Sequence, residues 1–245
     1  MSQQCEKRGR PFLKAYNPEK HMVVFFRPRC KTWSCPACAA INTKLWAART
    51  HYAANEIQEQ GEGLQFLTLT SHEKLDGYTS LKVWPKAWKK LHTRANRAGG
   101  HGAYLMVPER HKDGRLHMHA LVTWDMKSSW WKDNGRACGL GFMNEVEPVR
   151  TAGGAATYVT KYLMKSLEDA FWPDGWRRVR LSRDWPKMPD VERPAGWRFS
   201  ALEKQDKLSE EIMRHMVGMD RVLVLDHITA WEAIGAIDNE GEFMP

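Results

Sequence analysis

Two histidines stand one residue apart inside an apolar run at 114–122, "GRLHMHALV". A strand turns successive side chains to opposite faces, so His117 and His119 share one face and Met118 lies behind them. Leu116, Ala120 and Val122 do not separate the two faces cleanly, which predicts a strand covered on both sides. Two neutral imidazoles a strand step apart can share one metal ion. The plainer alternative is a pair of half-exposed histidines on an edge strand.

The rest of the chain supplies neighbours for such a strand. "LQFLTLT" at 64–70 alternates and is rich in β-formers, and it reads as a central strand. "GAYLMVPER", "HKDG" and "RLHMHALVTW" follow one another as a hairpin bent at Asp113-Gly114. "GFMNEVEPV" is a further short strand after a glycine-rich turn. Residues 42–60 have helical character, ended by Gly61 and Gly63. Pro85 is expected to open a basic amphipathic helix that Gly99 and Gly100 close. A third helix is expected from about Ala155 within "TAGGAATYVTKYLMKSLEDAF". "MVVFF" gives a short strand in an otherwise irregular start, and helical patterns recur at 203–217 and 228–236. The order strand, helix, hairpin, strand, helix predicts an α+β fold, an antiparallel β-sheet with packed helices. Three segments are expected: a Cys-rich, zinc-binding N-terminal segment with a helix over 1–60, a core over 61–200 and an acidic helical tail over 201–245.

The 245-residue chain is 42% hydrophobic, enough for a folded core. It holds no run of about 20 apolar residues, and its first residues, "MSQQCEKRGRPF", carry no apolar signal core. A cytoplasmic location without membrane contact is therefore expected. The net charge of +8 favours a polyanionic partner. Residues 82–97 contain no acid, and residues 176–187 contain only Asp184. Trp84, Trp88, Trp176 and Trp185 lie inside these basic runs. Cations interleaved with aromatics suit single-stranded nucleic acid, whose phosphates they neutralise and whose bases they stack. Lys86, Lys89, Lys90, Arg94, Arg177, Arg178 and Arg180 are the candidate contacts; the alternative is core tryptophans beside a solvated helix face.

Three of the five cysteines cluster as "CKTWSCPAC", namely Cys30, Cys35 and Cys38. That spacing suits a structural zinc, which needs a fourth ligand. Cys5 and His21 are the upstream candidates, Cys5 the first choice, and Cys138 is distant. Free thiols or a redox Cys-x-x-Cys are the alternatives.

The hairpin supplies a carboxylate for the histidines. Glu109 lies on the strand before the bend and can face them across the ladder, with His111 of the same parity as a substitute. Two His, one carboxylate and open positions suit Mg2+ or Mn2+, able to polarise a phosphate. On the helix near residue 160, Tyr158 and Tyr162 are four apart, as are Lys161 and Lys165. Residues so spaced stack along one helix face. A phenol is a weak nucleophile that needs a metal or a base beside it to attack phosphorus. An ordinary amphipathic helix is the alternative.

"FLTLT" at 66–70, "HMHALV" at 117–122 and "YVTKYLMK" at 158–165 resemble, in that order, the three motifs of the HUH endonucleases. The third is similar to the two-tyrosine form found in rolling-circle replication initiators of small single-stranded DNA phages and related plasmids. The resemblance spans roughly residues 30–190. It implies a ferredoxin-like or RRM-like core with His117, His119 and Glu109 as ligands of the catalytic metal. Tyr158 would be the first nucleophile and Tyr162 the second, or in single-tyrosine relatives a packing aromatic. Lys161 and Lys165 would orient the scissile phosphate or share in proton handling. Such enzymes nick one strand of an origin, keep the 5′ phosphate as a phosphotyrosine and leave a free 3′-OH for a polymerase. No ATP-binding loop is present, so unwinding would fall to a host helicase. A two-tyrosine transposase would carry the same motifs, and a non-catalytic zinc module would explain the charge and cysteines alone.

Overall fold

The computed structural model describes residues 12–28, 30–72, 76–111, 114–141, 145–167, 172–173, 176–189, 195–202, 208–218 and 220–226. It divides into two compact units, Ile41–Met188 and Met1–Ala40 with Pro189–Pro245. Cys5, Asp113 and the helical pattern at 228–236 lie outside the described residues.

In the unit Ile41–Met188, five antiparallel strands run in the order β6-β3-β5-β4-β7. They are β3 (Gln65–Thr70), β4 (Tyr104–Arg110), β5 (Leu116–Val122), β6 (Glu145–Pro148) and β7 (Arg180–Leu181). The β4–β5 hairpin turns through Gly114 at φ +86°, a left-handed conformation that favours glycine. The His111 amide donates to the Arg115 carbonyl at 2.8 Å across the bend. As expected, β5 is buried on both sides and β3 is its inner neighbour.

Alternation sorts the sheet into two faces. Leu67, Leu69, Met106, Met118, Ala120 and Val122 join one core with Trp84, Trp88 and Leu91 of α2 (Gly77–Gly99) and Trp131 of α3 (Ser128–Ala137). The opposite face carries Thr68, Glu109, His117 and His119, and α4 (Ala152–Leu167) packs there with Ala155, Val159 and Leu163 buried. One face is thus wholly apolar, while the other mixes packing with polar side chains.

Helix starts depart from the sequence expectation. α2 begins at Gly77, and Pro85 lies inside it. Asp76 caps the helix, its carboxylate accepting from the Thr79 amide and hydroxyl, each at 2.8 Å. Leu81 and Trp84, upstream of the proline, are buried and hold that first stretch to the sheet; Pro85 removes only one intrahelical bond. α1 (Pro36–Glu59) starts at Pro36, which suits a first helical position. α4 starts at Ala152, where the Thr151 hydroxyl accepts from the Gly154 amide at 3.0 Å. α3 has no counterpart in the sequence expectation; "SSWWKDNGRA" forms it because Trp131, 0% exposed, anchors it in the core.

In the other unit, β1 (Leu13–Asn17) and β2 (Met22–Arg27) form an antiparallel pair flanked by β8 (Arg198–Ala201) and β9 (Arg221–Asp226). β9 runs parallel to β2, the exception in an otherwise antiparallel pattern. Of these four strands, only β2 is visible in the sequence pattern. α5 (Leu208–Val217) belongs to this unit, where Lys14 reaches Glu211 at 3.1 Å.

Removing the α2 cap tests this packing. Asp76→Ala is expected to lower unfolding free energy by about 1 kcal/mol in urea denaturation, with Asp76→Asn losing less.

Candidate active site and cysteine cluster

The β4–β5 register sets Glu109 opposite His117 and Val107 opposite His119, while β3 sets Thr68 opposite His119. Directly opposed residues share a face, so Thr68, Glu109, His117 and His119 gather there. His119 is 5% exposed. Its Nε2 lies 2.6 Å from Glu109 Oε2, and its Nδ1 lies 3.2 Å from both Tyr158 Oη and Thr68 Oγ1. Thr68 Oγ1 and Tyr158 Oη are 3.3 Å apart.

α4 lays its spaced side chains over this group. The Tyr162 ring stacks on the His119 imidazole, with centroids 3.3 Å apart and planes 9° from parallel. The Tyr158 ring rests against Phe66 at 4.2 Å. Lys165 Nζ donates to Glu109 Oε1 at 2.8 Å, and the Lys161 and Lys165 ammoniums stand 5.3 and 5.2 Å from the Tyr162 ring centre. Both tyrosines, Lys165, His119 and Glu109 therefore meet in one cluster, with Lys161 at its exposed margin.

Burial and charge set the ionisation. Burial pushes the Glu109 carboxyl up, but hydrogen bonds from His119 and Lys165 outweigh it and hold the group at about 2. Burial takes His117 down to about 4, with His111 and His119 adding repulsion. Burial also lowers His119, against the pull of Glu109. Tyr158 is pushed well up by burial, which the Thr68 hydrogen bond offsets only in part. Tyr162 is raised by burial and then by Glu109. A neutral His119 facing an ionised carboxylate carries its proton on Nε2, an assignment made from its hydrogen bonds. Nδ1 is then an acceptor aimed at Tyr158 and Thr68.

The residues also fit a divalent cation. His117 Nε2 is buried with no hydrogen-bond partner, on the same face as His119 and Glu109. Two imidazoles and a carboxylate suit Mg2+ or Mn2+. Their ligand atoms do not gather as closely as those of the cysteine cluster, because both Glu109 oxygens are engaged by His119 and Lys165. His111, exposed, stacks on His117 at 5.0 Å.

In the other unit, the sulfurs of Cys30, Cys35 and Cys38 all lie within 4.8 Å of one another and are buried. None is in a disulfide, and the group could hold a metal ion. Cys30 Sγ and Cys38 Sγ are 3.4 Å apart. His21 instead meets Asp220 at 3.5 Å, and Cys138 is buried in the unit Ile41–Met188, its thiol raised by burial.

Lys86, Lys89, Lys90 and Arg94 are carried on α2; Lys86, Lys89 and Lys90 are exposed, and Arg94 donates to Asn134 at 3.1 Å. Arg177 is exposed, Arg180 half-buried, and Arg178 buried with its guanidinium donating to the Ser166 carbonyl. Trp84, Trp88 and Trp185 are core residues, leaving Trp176 the more accessible ring. Sequence reasoning missed Thr68 and Phe66 as site residues. The alternation of "FLTLT" is the available signal, since it puts both on the face of the histidines.

Residues 64–167 match the family model described as Replication-associated protein ORF2. The match covers under half of the chain, but runs from the start of β3 to the end of α4 and contains the whole cluster. No curated protein and no solved structure matches. The family match supports a replication-associated role. No helix among the described residues is long and apolar enough to cross a membrane.

With chelator present, the folded chain keeps His117 uncharged down to about 4, whereas the unfolded chain takes up that proton near 6.5. The unfolded state binds more protons between those values, so stability falls as pH drops through that window. Glu109 adds a second loss as pH falls from 4.5 towards about 2. Thermal melts of the wild type should show both declines, and His117→Asn should make the first one shallower.

Proposed function

We propose that the chain is a rolling-circle replication initiator that nicks and rejoins single-stranded DNA at an origin through a 5′-phosphotyrosine. The observation that supports this most is the chain of contacts Glu109–His119–Tyr158, which presents a phenol to a neutral imidazole nitrogen at 3.2 Å. The family match, the HUH resemblance and the basic charge agree with it.

In the proposed reaction, Tyr158 Oη attacks phosphorus and the bond to the 3′ oxygen breaks. The phenolic proton passes to His119 Nδ1, and Glu109 stabilises the imidazolium that results. The 3′ oxygen leaves as a hydroxyl after protonation. Thr68 holds the phenol in line with the imidazole. Lys165 and Lys161 lower the cost of charge near Tyr162, which takes the second transfer. A divalent ion held by His117, His119 and Glu109 would polarise the phosphate and its leaving oxygen when bound. The cysteine group is proposed to hold a structural zinc. DNA contact is assigned to Lys86, Lys89, Lys90, Arg94, Arg177 and Arg180, and unwinding to a separate helicase.

A covalent adduct on denaturing gels tests the reading. Wild-type chain with Mn2+ and its own origin strand should form one, and chelator should remove it. Tyr158→Phe should reduce the first adduct by at least about 100-fold, the scale of losing a nucleophile. Tyr162→Phe, which keeps the ring on His119, should spare it and impair the second transfer. Intact DNA binding without any adduct would leave only a binding module.

Metal analysis checks the zinc separately. About one zinc per chain is expected, with Cys38→Ser losing it and melting at lower temperature.

A further inference from the structure

A second cationic site lies at the edge of the five-stranded sheet, on the face away from His119. β7 pairs Arg180 with Met106 and Leu181 with Leu105. This register gives Arg180 the face shared by Tyr104 and Met106, the face of α2. Tyr104, Trp176, Arg177, Val179, Arg180 and Leu181 line a cavity of about 490 Å³ there. The Arg180 guanidinium sits 4.3 Å from the centre of the Trp176 ring. Arg180 Nε and Trp176 Nε1 are both buried without a hydrogen-bond partner.

Those two donors are an unmet demand, since buried polar groups ordinarily find partners. The charge is unmet too. No carboxylate among the described residues pairs with Arg177 or Arg180, and each guanidinium repels the other. Arg178 is different: buried, stacked over Trp172 at 4.8 Å and bonded to the end of α4, it fixes the segment in place. Trp172 stacks in turn near Trp176, with centroids 6.3 Å apart. The result is a braced aromatic wall beside two uncompensated cations. Cations of this kind suit a phosphate, and an aromatic wall suits a flat base.

We propose that this cavity binds one nucleotide of a single DNA strand, with its phosphate on Arg177 and Arg180 and its base against Trp176 and Tyr104. The proposal rests on reading DNA as the substrate. The reacting phosphate belongs at the His119 face, so the nucleotide held here flanks the cleavage site. It would hold the strand in register while the ends at Tyr158 change partners.

Photocrosslinking tests it with the full-length Tyr158→Phe chain, chelator, and a 5-iododeoxyuridine oligonucleotide. Peptide mapping should find the crosslink on Trp176 or Tyr104. Arg177→Ala with Arg180→Ala should abolish it and weaken binding at least tenfold at low salt. The slope of log K against log salt should fall by about 1.4, two contacts at about 0.7 each for a single strand. The double Lys variant should recover most of the affinity and the slope, which excludes misfolding as the cause. Crosslinks confined to other peptides, or an unchanged salt slope in the double Ala variant, would overturn the proposal. Equal competition by free dTMP would overturn it too, in favour of a free nucleotide. The outcome does not depend on covalent chemistry. A wild type that forms no adduct yet crosslinks at Trp176 would sink the nuclease reading alone.

Discussion

The hydrogen bond between His119 Nε2 and Glu109, 2.6 Å long, governs what the rest of the site can do. It holds Glu109 ionised against burial and fixes which imidazole nitrogen carries the proton. A hydrogen bond to a charged group contributes about 1.5–3 kcal/mol, enough to specify one arrangement of a buried imidazole. From that one contact follow the acceptor at Nδ1, the direction of the Tyr158 hydroxyl and the anchoring of Lys165 on the remaining carboxylate oxygen. Tyr162 completes the setting by lying flat on the same ring.

The fold supplies this contact through register. A one-residue slip of β4 against β5 would turn Glu109 to the face of Met118. The slip is resisted by the apolar face, where Met106, Met118 and Ala120 pack among the tryptophans of α2 and α3. Trp124, whose indole donates to the Gly100 carbonyl at 3.0 Å, ties the end of α2 to the strand end of β5. The core on one side of the sheet thus positions the chemistry on the other, and α4 brings the tyrosines to a surface already in place.

Much of the site is legible in residue order. His-x-His on a strand, Glu109 across a short hairpin and paired Tyr and Lys on a helix are local patterns, and local periodicity is what a sequence displays. The helix start at Gly77 is hidden because Pro85 is a stronger-looking signal than Asp76, although the cap and the burial of Leu81 and Trp84 decide the matter. β1, β8 and β9 are hidden for another reason. Their pairing joins residues near 15 to residues near 200, and residues near 24 to residues near 223, and no local pattern reports such a contact. Thr68 escapes notice because its role depends on meeting His119 and Tyr158 from two other elements at once.

The most direct test of the account is the identity of the residue that holds DNA. Wild-type chain would be trapped with its origin strand and Mn2+, digested with protease and nuclease, and its nucleotide-bearing peptide sequenced by mass spectrometry. The account predicts a phosphate ester on Tyr158 in the first-turnover adduct. An ester found only on another residue, or a cleaved strand with a free 5′ phosphate and no modified peptide, would contradict it.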